Sequence, residues 1–246
     1  MASSADRMAA GAGFGALAKA DELKKRLWFT VGALIIYRLG TYLPLPGIDP
    51  GALADIFSQQ SSGILGMFDM FSGGALSRMT IFALNIMPYI TASIIMQLMT
   101  AIVPSLEALK KDGEAGRKMI NQYTRYLTVL LATVQGYGIA VGLESASGVV
   151  DDPGLFFRVT TVVTLVGGTL FLMWLGEQIT SRGVGNGISL IIFAGIVANL
   201  PTALAGTLEL GRTGALSSLL IVLLFVMAAA VIAFIVFIER SVRKIL

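Results

Sequence analysis

Six apolar runs dominate this chain, at 27–45, 79–103, 126–143, 159–176, 183–208 and 213–238, and each is longer than the roughly 17 residues that a helix needs to cross a bilayer. Inside lipid a backbone N–H or C=O finds no water, so a spanning segment satisfies its hydrogen bonds internally, as a helix does. The pattern therefore predicts an all-α fold, a polytopic membrane helical bundle with six transmembrane spans. Composition agrees: 13% of the residues are charged and 55% hydrophobic, where a soluble domain carries about 25% charged residues. Only the run 27–45 holds a charge, Arg38, near the end where a long side chain can snorkel to the interface.

Residue types that are missing narrow the chemistry. The chain has no cysteine and no histidine, which removes disulfides, thiolate zinc sites, iron–sulfur clusters, cysteine nucleophiles and the commonest general base. An enzyme is a poor reading of such a chain. The net charge of +3 matters less than its distribution, because lysine and arginine set the orientation of short membrane loops. With six spans, the side of the N-terminus collects Arg7, Lys19, Lys24, Lys25, Arg26, Lys110, Lys111, Arg117, Lys118, Arg125, Arg182, Arg240, Arg243 and Lys244. The other side has only Arg78, Arg158 and Arg212. That asymmetry predicts a cytoplasmic N-terminus. Residues 1–26 lack a signal-peptide cleavage pattern and read as a cytoplasmic arm, with leucines at helical spacing beside lysines that suit a short interfacial helix.

Between the first two runs lies the patch ILGMFDMF at 64–71, followed by Ser72-Gly73-Gly74. It is about two helical turns long, too short to cross. Two readings stay open: a re-entrant half-helix dipping into a cavity, or an amphipathic helix lying on the outer interface. Asp69 within the patch is expected to face water.

The stretch TIFALNIMPYITASIIMQLM at 80–99 and the stretch WLGEQITSRGVGNGISLII at 174–192 resemble the two signatures of the SecY family, the channel subunits of the bacterial protein translocon. The shorter runs PLPGID at 44–49, FSGGALSR at 71–78 and QYTRY at 122–126 match in the same order, so the resemblance covers the chain from about Leu23 onward. One departure stands in the first signature: the family usually has glycine where this chain has Asn85. A glycine there would permit close backbone approach, and the amide instead bonds either across to a neighbour or within its own span. The family also has about ten spans in two pseudo-symmetric halves, so these residues resemble an N-terminal portion.

The resemblance implies a function and a set of sites. SecY-like channels pass unfolded polypeptide through a narrow apolar ring that dewets when idle. Ile86 and Ile90, four apart on one helical face with Pro88 loosening the backbone between them, and Ile192 match ring positions. Taken without the family, such isoleucines face lipid or core far more often. Ile64, Leu65, Met67, Phe68, Met70 and Phe71 correspond to the plug, with Gly73 and Gly74 as its hinge. Ile86, Ile90, Thr91 and Gln97 lie on the span that forms one wall of the lateral gate, although ordinary interhelical hydrogen bonds explain Gln97 equally well. Lys110, Lys111, Arg117, Lys118, Arg125, Arg240 and Arg243 either contact cytoplasmic partners or only fix topology. Residues 27–208 would form the first half with five spans and the plug at about 63–74, and 209–246 the sixth span and the start of a cytoplasmic loop.

The implied partners are SecE-like and SecG-like small membrane subunits, the SecA motor ATPase, the ribosome, an unfolded precursor or signal sequence, membrane lipid, and a C-terminal half of the same protein. No cofactor and no metal is implied, and the location is the bacterial inner membrane. The rival from physics alone is half of a secondary transporter with broken helices, which would want ionisable residues at mid-membrane. An intramembrane protease would need a serine, aspartate or metal constellation within the spans, and the runs supply no acidic pair.

Overall fold

The computed structural model describes residues 21–49, 51–55, 69–70, 72–146, 148–214 and 216–240. Every regular element longer than a turn is helical: α1 (Asp21–Gly40), α2 (Met87–Ile102), α3 (Pro104–Lys111), α4 (Gly113–Ser145), α5 (Leu155–Arg182), α6 (Gly187–Ala198), α7 (Leu200–Arg212) and α8 (Ser218–Arg240). Residues 1–20 of the expected arm 1–26 lie outside the described residues.

Among the described residues four stretches are long and apolar enough to cross a membrane, Gly113–Ser145, Leu155–Arg182, Gly187–Arg212 and Leu219–Arg240, and a fifth is the bent pair α2–α3 if that counts as one span. The expected six are thus four or five by this measure. The shortfall is α1, whose 20 residues include Asp21, Glu22, Lys24, Lys25, Arg26 and Arg38. Lys24 to Arg26 form part of this helix.

The helix bounds also differ from those of the apolar runs. The run 79–103 is helical only from Met87, because Pro88 has no N–H and a fixed φ that suit the first turn. Pro88 therefore begins a helix and does not loosen one. The basic segment 107–125 is helical, on α3 and the first turns of α4, and Val103–Pro104 bends α3 away from α2 by 99°. The run 183–208 corresponds to the single candidate span Gly187–Arg212, in which the helix is interrupted at Asn199, with Pro201 in the first turn of α7.

The chain divides into two compact units, Met1–Val197 and Ala198–Leu246. In the first, α5 packs on α4 and α1, and α2 packs on α4. The far ends of these helices are tied by extended backbone: Leu45 donates to Met79 at 3.0 Å, Ile81 to Leu43 at 3.0 Å, and Asp49 to Val149 at 2.9 Å. The α4–α5 connection is stapled by Glu144, which accepts from Arg158 Nε at 2.7 Å and the Gly154 N–H at 2.9 Å. In the second unit α8 is exposed along its length, with Leu219, Phe234 and Phe237 each more than 60% accessible.

Candidate functional site

The first unit is organised around a largely non-helical segment, Ser72 to Ile86, that enters the bundle and delivers the chain to α2. It consists of overlapping turns, Thr80 N–H to Ala75 O, Ala83 to Thr80 and Asn85 to Phe82, at 2.8–2.9 Å. Four residues take left-handed backbone: Gly73 (φ 68), Gly74 (φ 82), Met79 (φ 42) and Asn85 (φ 49). Asp69 closes the entrance, accepting the Ser77 N–H at 2.7 Å and lying 3.4 Å from Ser72 Oγ. Its carboxylate is thus half-buried in a turn, not simply solvated as the sequence suggested.

Helix α1 supplies donors to this segment. Arg38 Nη1 donates to the Gly73 carbonyl at 2.8 Å, and the Tyr37 hydroxyl to the Ser72 carbonyl at 3.4 Å. Tyr37 is fully buried and its hydroxyl also meets the Asn85 side chain. Its ring stacks on Phe82 at 6.3 Å, Phe82 on Phe171 at 5.9 Å, and Phe171 leans on Trp174. Arg38 also donates to the Tyr42 hydroxyl, and Tyr42 lies under both Arg38 and Arg78. Arg38 is therefore committed to a backbone carbonyl, to hydroxyls and to an aromatic ring.

Ile86, 1% exposed, is the residue before α2, and its carbonyl accepts the Ile90 N–H at 3.1 Å. It belongs to a cluster with Ala33, Tyr37, Phe82, Leu172 and Ile179, and Ile90 is packed half-buried against it. The fully buried residue that α6 gives this cluster is Ile191, 0% exposed, with Ile188, Leu190 and Ala194 packed against it, whereas Ile192 is half-buried and outside it. The structure thus packs Ile90 against the cluster that holds Ile86, and Ile192 is not a member of that cluster. Thr91 and Gln97 are exposed, and their side chains bond within α2, to the Met87 carbonyl at 3.0 Å and to Ser93 Oγ at 3.4 Å.

Of the plug positions, Met70 is 50% exposed and Gly73 and Gly74 form the turn. Ile64, Leu65, Met67, Phe68 and Phe71 lie outside the described residues. Lys110 and Lys111 sit on α3, where Lys111 pairs with Glu107 at 2.7 Å. Arg117, Lys118 and Arg125 sit on α4. Arg125 forms a bidentate pair with Glu177 of α5 at 2.7 and 3.0 Å, so it is spent on the bundle. Arg240 ends α8, and Arg243 lies outside the described residues. Among the described residues no acidic cluster is arranged to hold a metal.

The second signature folds as helix, turn, helix. Glycines let α5 and α6 meet: a Cβ on Gly187 would strike the Gly176 carbonyl, and one on Gly183 would strike Thr30. Thr180 Oγ accepts the Gly187 N–H at 2.9 Å, Asn186 Oδ1 accepts the Ile188 N–H at 3.1 Å, and Val184 N–H reaches Thr30 of α1 at 3.1 Å.

Residues 80–246, from the first signature onward, match the SecY family model. The chain belongs to the SecY family. It is 59% identical over 227 residues to protein translocase subunit SecY of Buchnera aphidicola subsp. Acyrthosiphon kondoi, covering 91% of this chain and 64% of that protein. To SecY of Escherichia coli K12 it is 57% identical, covering 91% and 51%, and to SecY of Rickettsia conorii 55%, covering 92% and 53%. The chain thus spans between half and two thirds of the length of these relatives. A solved protein-conducting channel shares the fold with TM-score 0.53 at 19% identity, over 77% of this chain and 38% of that one. Sec61 in a canine ribosome–channel complex gives the same TM-score, identity and coverage.

Within the SecY family signature, the backbone explains Asn85. Its φ of 49 is a conformation that glycine adopts freely and asparagine tolerates better than other residues. The demand at this position is on the backbone turn into α2. Tyr37, Phe82 and Ile191 were the site residues that sequence reasoning missed; a tyrosine and an arginine side by side in an apolar run were the available signal.

Proposed function

We propose that this chain forms the first half of a protein-conducting channel that passes unfolded secretory proteins across the bacterial inner membrane and releases apolar helices sideways into lipid. The observation that carries this reading is the pairing of Ile86 and Ile90 at the point where irregular backbone turns into α2, inside a chain with 57% identity to a SecY protein. Irregular backbone persists at membrane depth only where protein buries it or a watery cavity is near, and an apolar constriction is the element such a cavity needs to stay sealed.

In this reading six spans cross the membrane, α1 and the α2 region included, and the N-terminus is cytoplasmic. Residues 1–26 are the arm, 27–208 the first half and 209–246 the sixth span with the start of a loop. Ile86, Ile90 and Ile192 contribute to the ring, residues 63–74 act as plug on the Gly73–Gly74 turn, and Thr91 and Gln97, exposed on α2, look toward the gate. Lys110, Arg117 and Lys118 on α3 and α4 meet SecA or the ribosome, with Lys111 and Arg125 already in ion pairs, and SecE-like and SecG-like subunits clamp the assembly. Translocation requires this chain together with a C-terminal half.

The test is ion conductance of the assembled channel in planar bilayers, comparing native protein with Ile86→Asn, Ile90→Asn and Ile192→Asn combined. Polar side chains hydrate the constriction, so idle leakage should rise at least tenfold; unchanged conductance removes these isoleucines from a seal. Proteoliposomes that import a small solute but no unfolded precursor would replace the channel with the transporter.

A further inference from the structure

We infer that Tyr37 and Arg38 of α1 are positioning residues for the constriction, acting through the backbone of the Ser72–Ile86 segment. The inference rests on the channel reading for its functional consequence and on geometry for its cause.

The geometry has three parts. First, Arg38 and Tyr37 hold adjacent carbonyls, Gly73 at 2.8 Å and Ser72 at 3.4 Å, at the beginning of the segment. Second, the same Tyr37 touches the end of the segment, through the Asn85 side chain and the Phe82 ring. Asn85 is the residue immediately before Ile86, and its left-handed φ sets the direction in which Ile86 leaves the turn. Third, the middle of the segment is tied to the Leu43–Leu45 backbone through Met79 and Ile81, whereas the backbone hydrogen bonds at its two ends are short turns that restrain only near neighbours in sequence. Two consecutive side chains on a regular helix thus fix both ends of about fourteen irregular residues.

Chemistry explains why these residue types are present. A carbonyl left without a donor inside a bundle is costly, and a guanidinium returns several N–H groups in a rigid fork. Arg38 appears in none of the ion pairs among the described residues; its partners are the Gly73 carbonyl, the hydroxyls of Thr41 and Tyr42, and the face of the Tyr42 ring. A charge placed in an apolar run for topology alone would not be aimed at a turn thirty-five residues away.

Removing the donor should loosen the turn and let Ile86 wander without unfolding the bundle, whose helices are packed by other residues. The experiment uses Arg38→Met and Arg38→Lys with two readouts: amide hydrogen exchange of residues 72–80 in this chain in nanodiscs, and idle conductance of the channel assembled with a C-terminal half. Arg38→Met should speed exchange across 72–80 about tenfold, as expected when a charge-assisted bond is lost, and raise leakage several-fold. Arg38→Lys, which keeps a donor, should recover most of both while exchange in α4 and α5 stays native.

Native exchange and native leakage in Arg38→Met, with raised leakage in the isoleucine variants, would overturn the positioning role and leave the channel reading intact. Faster exchange in a protein whose isoleucine variants do not leak would instead mean that the channel reading has failed. Uniformly faster exchange in all helices would mark Arg38 as a general stability residue and overturn the inference. If Arg38→Met does not fold, Tyr37→Phe, which deletes one hydroxyl, is measured in the same two ways and the same outcomes decide.

Discussion

The two signature stretches of this chain are equally recognisable in sequence and are built by opposite means. The first, at 80–99, spends its opening residues in irregular turns and becomes helical only at Met87. The second, at 174–192, is regular helix on both sides of a short turn, with Asn186 and Thr180 satisfying the N–H groups where α6 begins. The first leans on a neighbour's side chains, Tyr37 and Arg38. The second leans on an absence of side chains, at Gly176, Gly183 and Gly187. A region that must bend into a bundle needs external donors for its carbonyls, whereas two helices that must meet closely need only small residues at the crossing.

The largest expected effect tests the glycine-built region. In Gly187→Ala the new methyl meets the Gly176 carbonyl, which is backbone and cannot step aside. The α5–α6 hairpin should open, at about 2–3 kcal/mol, read as a lowered melting temperature in detergent. Gly168→Ala makes the matching clash with the Ile81 carbonyl, in the other signature. Because the irregular segment can shift as a body, that variant should lose less stability and show its damage as faster hydrogen exchange in residues 79–86. Equal losses with no local exchange change would mean that the two regions are built alike.

A middle-sized effect probes the turn into α2. Asn85→Gly should be neutral or slightly stabilising, since φ 49 suits glycine. Asn85→Val should cost about 1–2 kcal/mol for a left-handed residue with a branched side chain. Chemical denaturation of the series separates this from a packing role: if Gly is as damaging as Val, the amide contact with Tyr37 matters more than the backbone.

The smallest effect concerns the ion pair that joins α4 to the second signature. Arg125 and Glu177 are partly exposed, at 49% and 33% of their side chains, so solvent screens much of their attraction. Arg125→Met should cost about 1 kcal/mol or less, and the loss should shrink at high salt. A salt-independent loss of several kcal/mol would show that the pair is buried by a partner.

How much was legible in the sequence follows the same division. Apolar continuity located the helices α4, α5 and α8, and the charge pattern marked the basic segment that α3 and α4 carry. Uninterrupted apolarity also extended the second span back to residue 79, because hydropathy does not distinguish a helix from irregular backbone that other helices bury. Pro88 was visible, but a proline inside an apolar run reads equally as a kink or as a first turn. Ile192 and Ile191 are adjacent in sequence and separate only when α6 is rotated into its place.

The amino-acid sequence alone therefore determined the all-α membrane class and the family resemblance, since both depend on local apolarity and on the order of motifs. The tertiary structure alone decided that Arg38 faces a carbonyl, that Asn85 carries a left-handed turn, and that Ile86 is buried beside Tyr37. Each of these joins residues from about thirty-five to about fifty positions apart or depends on a single dihedral angle. Long-range pairing and backbone direction are set by how neighbouring elements pack, and no run of residues read by itself contains that information.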